Sequence, residues 1–76
     1  MIVNAAILKD GVIYTNKRHH LIIQAHPYQF FLNCKQGFVT SNGEFVNRED
    51  ALKIAIENNQ LIVEPRGNKL YSEDVW

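Results

Sequence analysis

The sequence predicts a small α+β single domain, oligomeric, made of two β-hairpin–helix units with a short C-terminal strand and tail. Three observations predict it. Pairs of short β-rich runs flank Asp10-Gly11 and Asn42-Gly43, dipeptides suited to tight hairpin turns. Each second run is followed by an asparagine and then by apolar residues at helical spacing. The length of 76 residues bounds the chain to one domain, residues 1–76. A core of that size is marginal, and assembly into a homodimer or higher oligomer is a common remedy.

In chain order, Ile2 to Leu8 is apolar and partly β-branched, and Val12-Ile13-Tyr14-Thr15 returns after Asp10-Gly11. Ile7, Val12 and Tyr14 are the expected buried face of this first hairpin, although a tyrosine ring can also face a ligand. Asn16 then reads as the cap of a helix from Lys17 to about His26, ended by Pro27. Leu21, Ile22 and Ala25 form its apolar stripe. Lys17, Arg18, His19 and His20 crowd the first turn, the positive end of the macrodipole. That crowding reads either as an exposed polar turn or as an anion site, with phosphate the obvious occupant.

Residues 27–35 follow a proline and are aromatic, with Tyr28, Phe30 and Phe31. They read as core or subunit packing, or alternatively as a base-stacking lid. The stretch from Gln36 to Gln60 carries the best local signals. Gly37 to Ser41 and Glu44 to Val46 flank Asn42-Gly43, which reads as a type I′ turn. Asn47 can cap a second helix, with Glu49 and Asp50 in its first turn. Ala51, Leu52, Ile54, Ala55 and Ile56 supply its apolar face, and Asn58-Asn59 its end. Gln60 to Glu64 reads as a strand, Pro65 to Asn68 as a turn or loop, and Ser72-Glu73-Asp74 as a last helical turn. Trp76 is expected to anchor the tail on the domain or on a neighbouring subunit.

Composition narrows the function classes. Eight basic residues balance eight acidic ones, which argues against a duplex nucleic-acid binder but leaves room for a small anionic ligand. The single cysteine, Cys34, excludes an internal disulfide and supports no zinc site. No apolar run approaches the ~20 residues of a membrane span, and the opening does not read as a signal peptide. A cytoplasmic protein is therefore expected. His19 and His20 are adjacent and diverge by roughly 100° on a helix, and no carboxylate stands at a matching spacing. No metal and no cofactor are expected. There is no nucleophile motif, P-loop or dinucleotide fingerprint, so no catalytic residue is assigned. General acid–base work by His19 or His20 stays open as an alternative.

Asn4-Ala5-Ala6-Ile7, Gly11-Val12-Ile13-Tyr14-Thr15 and Arg18-His19-His20, the run Gln36-Gly37-Phe38-Val39-Thr40, then Gly43-Glu44-Phe45-Val46-Asn47-Arg48-Glu49-Asp50-Ala51, Ile54-Ala55 and Gln60, with the tail Leu70-Tyr71-Ser72-Glu73-Asp74-Val75-Trp76, resemble a family of small bacteriophage proteins. The characterised group it is similar to is the first Thoeris anti-defence family. Those proteins are sponges that bind a host immune signalling nucleotide without cleaving it. The resemblance covers nearly the whole chain. It implies a phage-encoded protein of the host cytoplasm, not an enzyme, that sequesters a cyclic ADP-ribose isomer or a cyclic dinucleotide such as cGAMP. A domain this small offers little concavity, so the pocket is expected between subunits. This chain is short for that group.

Such a task needs cations for phosphates and aromatic faces for purines. Arg18 and Arg48, each close after a predicted cap, are the expected phosphate donors, with Arg66 a further mobile guanidinium. For Arg48 a structural salt bridge with Glu73 or Asp74 is the alternative. His19 and His20 are expected to hydrogen-bond phosphates or base, and Phe38, Tyr28 and Tyr71 to stack or to pack. Two rival functions remain: degradation of the signal, and inhibition of a host defence protein by direct contact.

Overall fold

The computed structural model describes residues 1–26, 34–65 and 67–76. Four strands, β1 (Ile2–Lys9), β2 (Val12–Asn16), β3 (Lys35–Thr40) and β4 (Phe45–Asn47), form one antiparallel sheet in the order β2-β1-β3-β4. Helix α1 (His19–Gln24) follows β2, helix α2 (Arg48–Glu57) follows β4, and a 3₁₀ turn covers Ser72–Asp74. Two hairpin–helix units therefore lie side by side and share the β1–β3 pairing. This is the small α+β domain that the turn dipeptides and helical spacing predict.

Alternation along the strands decides which face is covered. Ala5 and Ile7 of β1 share a face with Phe38 of β3, because Ala5 pairs with Phe38. On that face they join Ile22 of α1, Ala51, Leu52 and Ala55 of α2, and Leu70 and Val75 of the tail in one core. Both helices thus cover the same side of the sheet. Leu8, Ile13, Val39 and Phe45 stand at the alternate positions, on the other side. Val12 differs from the expected buried set. It shares the inner face with Tyr14, but it sits next to the hairpin tip and is exposed.

The two turns differ in type, and the type I′ geometry expected at Asn42-Gly43 is found at Asp10-Gly11. Asp10 and Gly11 both have positive φ, 51° and 77°, which is the two-residue type I′ geometry. At the second hairpin only Gly43 does, at 80°. There the Gly43 N–H donates to the Thr40 carbonyl, and the Thr40 N–H to the Glu44 carbonyl, both at 2.9 Å. This is a three-residue loop with a bulge at glycine, not a type I′ turn. The Thr40 hydroxyl favours it by accepting from the N–H groups of Asn42 and Glu44 at 3.3 and 3.4 Å.

The second helix forms as its caps dictate. Asn47 Oδ1 accepts from the Asp50 N–H at 2.7 Å, and Asn59 at φ 53° turns the chain out of the helix. The first helix is shorter than predicted. Asn16 pairs with Ala5 as the last residue of β2, so the sheet holds its backbone, and its Oδ1 accepts from the Lys17 N–H instead. Arg18 becomes the cap residue, without a side-chain capping bond. Only His19 and His20 of the four basic residues then lie inside α1.

The expected strand from Gln60 to Glu64 is absent. The Ile62 N–H donates to the Asp74 carbonyl at 2.8 Å, so this segment bonds to the 3₁₀ turn rather than to a ladder. Trp76 anchors the tail on its own domain, as shown below. The expectations for residues 27–33, Tyr28 among them, and for Arg66 lie outside the described residues.

Candidate functional site

Phe38 is the centre of the candidate site. Its ring is fully buried and meets His19 edge-on, with centroids 5.0 Å apart and planes at 86°. Trp76 lies tilted against it at 6.3 Å, and the Arg48 guanidinium is 6.0 Å from the ring centroid. Three of the predicted site residues therefore meet at one buried ring, joined by a tryptophan the sequence placed only as an anchor. Phe38 has no solvent-facing surface, so in this fold it supports the neighbouring groups from below.

Arg48 is placed by the cap. Strand β4 passes into α2 without a loop, and Asn47 fixes the start, so Arg48 is the first helical residue. Its Nη1 donates to the Leu70 carbonyl at 2.7 Å, and the Leu70 N–H returns a bond to the Arg48 carbonyl at 3.0 Å. This reciprocal pair fastens the tail to the helix start. Nη2 donates to Gln36 Oε1. The Tyr71 ring lies 5.0 Å from the guanidinium carbon, a cation–π distance. Both hydrogen bonds go to neutral acceptors rather than to Glu73 or Asp74, whose charges act on Arg48 only through space. Burial lowers the Arg48 pKa, against the attraction of Tyr71, Glu73 and Asp74. The guanidinium nonetheless stays charged, as arginines do.

Gln36 and Tyr71 give this cluster its solvent side. Tyr71 is 42% exposed, and Gln36 is exposed at the outer end of β3. Tyr71 is held by its own backbone, whose N–H donates to Asp74 Oδ2 at 3.0 Å. Gln36 was missed in the sequence, although strand alternation puts it on the same face as Phe38 two residues on.

The basic residues before α1 form the other flank. Arg18 Nη2 donates to the Trp76 carbonyl at 2.6 Å, and Lys17 Nζ stands 5.0 Å from the Trp76 ring centroid. His20 is exposed, whereas His19 is buried and its Nε2 lies 2.7 Å from the Gly37 carbonyl. Since a carbonyl only accepts, the ring carries its proton on Nε2 and donates it there. Burial lowers the His19 pKa, and the Arg48 charge lowers it further. His19 is thus a neutral core donor.

The result is a line from Tyr71 through Arg48, Phe38 and Trp76 to Lys17 and Arg18, with cations over aromatic rings at both ends. This arrangement can take a planar ring and an anion together. Among the described residues, no three of His, Cys, Asp and Glu converge as a metal site. No helix among them is long and apolar enough to cross a membrane. The grooves of about 350 and 370 Å³ beside Ile56 are lined by other residues of α2 and of the segment after it, and none of the described site residues borders them.

A family model described as "Phage T4 y16D protein" matches residues 1–76, the whole chain. No curated protein and no solved structure matches it.

Proposed function

This chain belongs to the phage T4 y16D protein family, and from that premise we propose that it is an anti-defence sponge. In this reading it binds a host immune nucleotide messenger, a cyclic dinucleotide such as cGAMP or a cyclic ADP-ribose isomer, and holds it uncleaved in the host cytoplasm. The resemblance of its central motif and tail to the first Thoeris anti-defence family motivates the reading.

The observation that carries it is the Arg48–Tyr71 pair. A half-buried guanidinium lies 5.0 Å from a partly exposed aromatic ring, and its two hydrogen bonds go to neutral oxygens. Its charge is not cancelled by a hydrogen-bonded carboxylate. A guanidinium also has more N–H donors than these two bonds use, so a phosphate oxygen can be accommodated. Tyr71 supplies a face for a purine. Arg18 and the exposed His20 are the further donors on the opposite flank, and Tyr28 and Arg66 are kept as contributors from outside the described residues. Of the two histidines that could act as a base, His19 is buried and engaged with Gly37, so a degrading enzyme would have to use the exposed His20.

Calorimetric titration against cyclic ADP-ribose isomers, cyclic di-purine nucleotides and cyclic trinucleotides tests the proposal. Nanomolar binding of one member, released intact when the protein is heat-denatured, is the expected result. A new product after denaturation favours a degrading enzyme. No heat with any member removes the nucleotide reading and favours a protein target.

A further inference from the structure

We propose that two copies of this chain pair through the outer edge of β2, in antiparallel register about a twofold axis at Tyr14, to make one eight-stranded sheet. The hairpin geometry determines which groups form that edge. In a two-residue type I′ turn the closing residues, here Lys9 and Val12, form a hydrogen-bonded pair. Pairs then alternate, so Tyr14 and Asn16 also bond inward to Ile7 and Ala5. Ile13 and Thr15 therefore direct their N–H and C=O groups away from β1. No hydrogen bond of the described residues outside the β1–β2 ladder engages either backbone.

Natural proteins guard such edges with charge, proline or a bulge. Val12-Ile13-Tyr14-Thr15-Asn16 has none of these, is rich in β-formers, and exposes Val12 and Ile13 at 49% and 42%. The other edge of the sheet is different. Strand β4 has three residues and runs directly into α2, where Asn47 is already the cap. Among the described residues the unguarded edge is thus confined to β2.

A second copy is the occupant that this edge fits. Antiparallel pairing about Tyr14 sets Ile13 opposite Thr15 of the other copy, and each pair exchanges two N–H···O=C bonds. Because β2 is uncharged, the twofold brings no like charges together, and the chain's formal net charge is zero. Ile13 of each copy also continues the apolar outer face of Leu8, Val39 and Phe45 across the junction. A five-residue edge is small beside the roughly 800 Å² per partner of a standard interface, so the dimer is reversible. The inference goes beyond the nucleotide reading and does not depend on it.

The test uses the nucleotide-free full chain, so its failure is separate from any failure of ligand binding. Light scattering after size exclusion, over a dilution series, should show twice the chain mass at high concentration and the chain mass on dilution. Ile13→Glu and Thr15→Lys should each give the monomer mass, and the double variant, with opposite charges in each cross-axis pair, should double the mass again. A parent that is monomeric throughout overturns the proposal, as do single variants that dimerise like the parent. Hydrogen exchange on the parent decides the matter if a variant fails to fold. Ile13 and Thr15 amides should be protected in concentrated solution and lose protection on dilution, whereas concentration-dependent protection at Phe45 instead would place the junction at β4.

Discussion

His19 reaches from α1 across to β3 and donates its Nε2–H to the carbonyl of Gly37 at 2.7 Å, inside the core. The bond ties the first helix to the second hairpin, eighteen residues apart in sequence. It also makes the fold depend on a neutral imidazole, since burial and the nearby Arg48 charge both disfavour the cation.

That dependence gives a pH effect of definite sign. The folded pKa of His19 lies below the ordinary 6.5. Its contribution to stability is therefore complete above pH 6.5 and is lost as the pH falls from there through the folded value. Urea unfolding of the parent should show a midpoint that drops between pH 7.5 and 5. His19→Gln, whose amide can still donate to Gly37 but cannot titrate, should show a shallower drop over the same interval. Parallel slopes for the two proteins would remove His19 from the effect.

Gly37 is fixed by space rather than by backbone conformation. A Cβ at this position would stand 2.1 Å from the Val46 carbonyl oxygen and 2.7 Å from the Phe45 ring. The ring can swing away, but the carbonyl belongs to the β3–β4 ladder. Gly37→Ala should destabilise by more than about 3 kcal/mol, above the usual range for overpacking. Urea denaturation, or failure to accumulate as folded protein, reads the effect. A midpoint within error of the parent would show that β4 shifts freely.

The Gln60 side chain acts as a surrogate strand. Its Oε1 accepts from the Ile2 N–H and its Nε2 donates to the Ile2 carbonyl, both at 2.7 Å. The end of α2 is thereby tied to the start of β1. Gln60→Ala should cost about 1–3 kcal/mol, two ordinary hydrogen bonds. Gln60→Glu should cost stability too, because an ionised carboxylate keeps the acceptor and loses the donor. Protonating that carboxylate below about pH 4 restores a donor, so the gap between the Glu variant and the parent should narrow there. A gap that stays constant as the pH falls from 7 to 3 would count against the two-bond account.

These contacts show why part of the molecule was legible in its sequence. The Asn47 cap and Asn59 exit work through neighbours within a few residues, so α2 and the place of Arg48 at its start could be read directly. The partners of Arg48 could not be. Gln36, Leu70 and Tyr71 lie twelve or more residues away, and no local pattern pairs them. Asn16 failed as a cap signal because pairing with Ala5, eleven residues away, holds its backbone in the sheet. Leu61, Ile62 and Val63 have strand composition, yet with β2 and β4 at the edges the chain turns instead to meet the 3₁₀ turn at Asp74. The charged neighbours of His19 hid its burial, which arises from contact with Phe38 and Gly37.

Arg48 carries the last prediction, and it separates charge from shape. Arg48→Ala removes a charge-assisted contact and should weaken nucleotide binding by at least about 1.5 kcal/mol. Arg48→Lys keeps the charge but loses the planar fork that bonds Leu70 and Gln36 and lies over Tyr71. If the guanidinium plane positions the ligand, the lysine variant should bind nearly as poorly as the alanine variant. If only charge matters, lysine should recover most of the affinity. Calorimetry on both variants, with circular dichroism to confirm that each is folded, distinguishes these outcomes. Unchanged affinity in a folded Arg48→Ala protein would take Arg48 out of the site and leave it the structural role of fastening Leu70 to the start of α2.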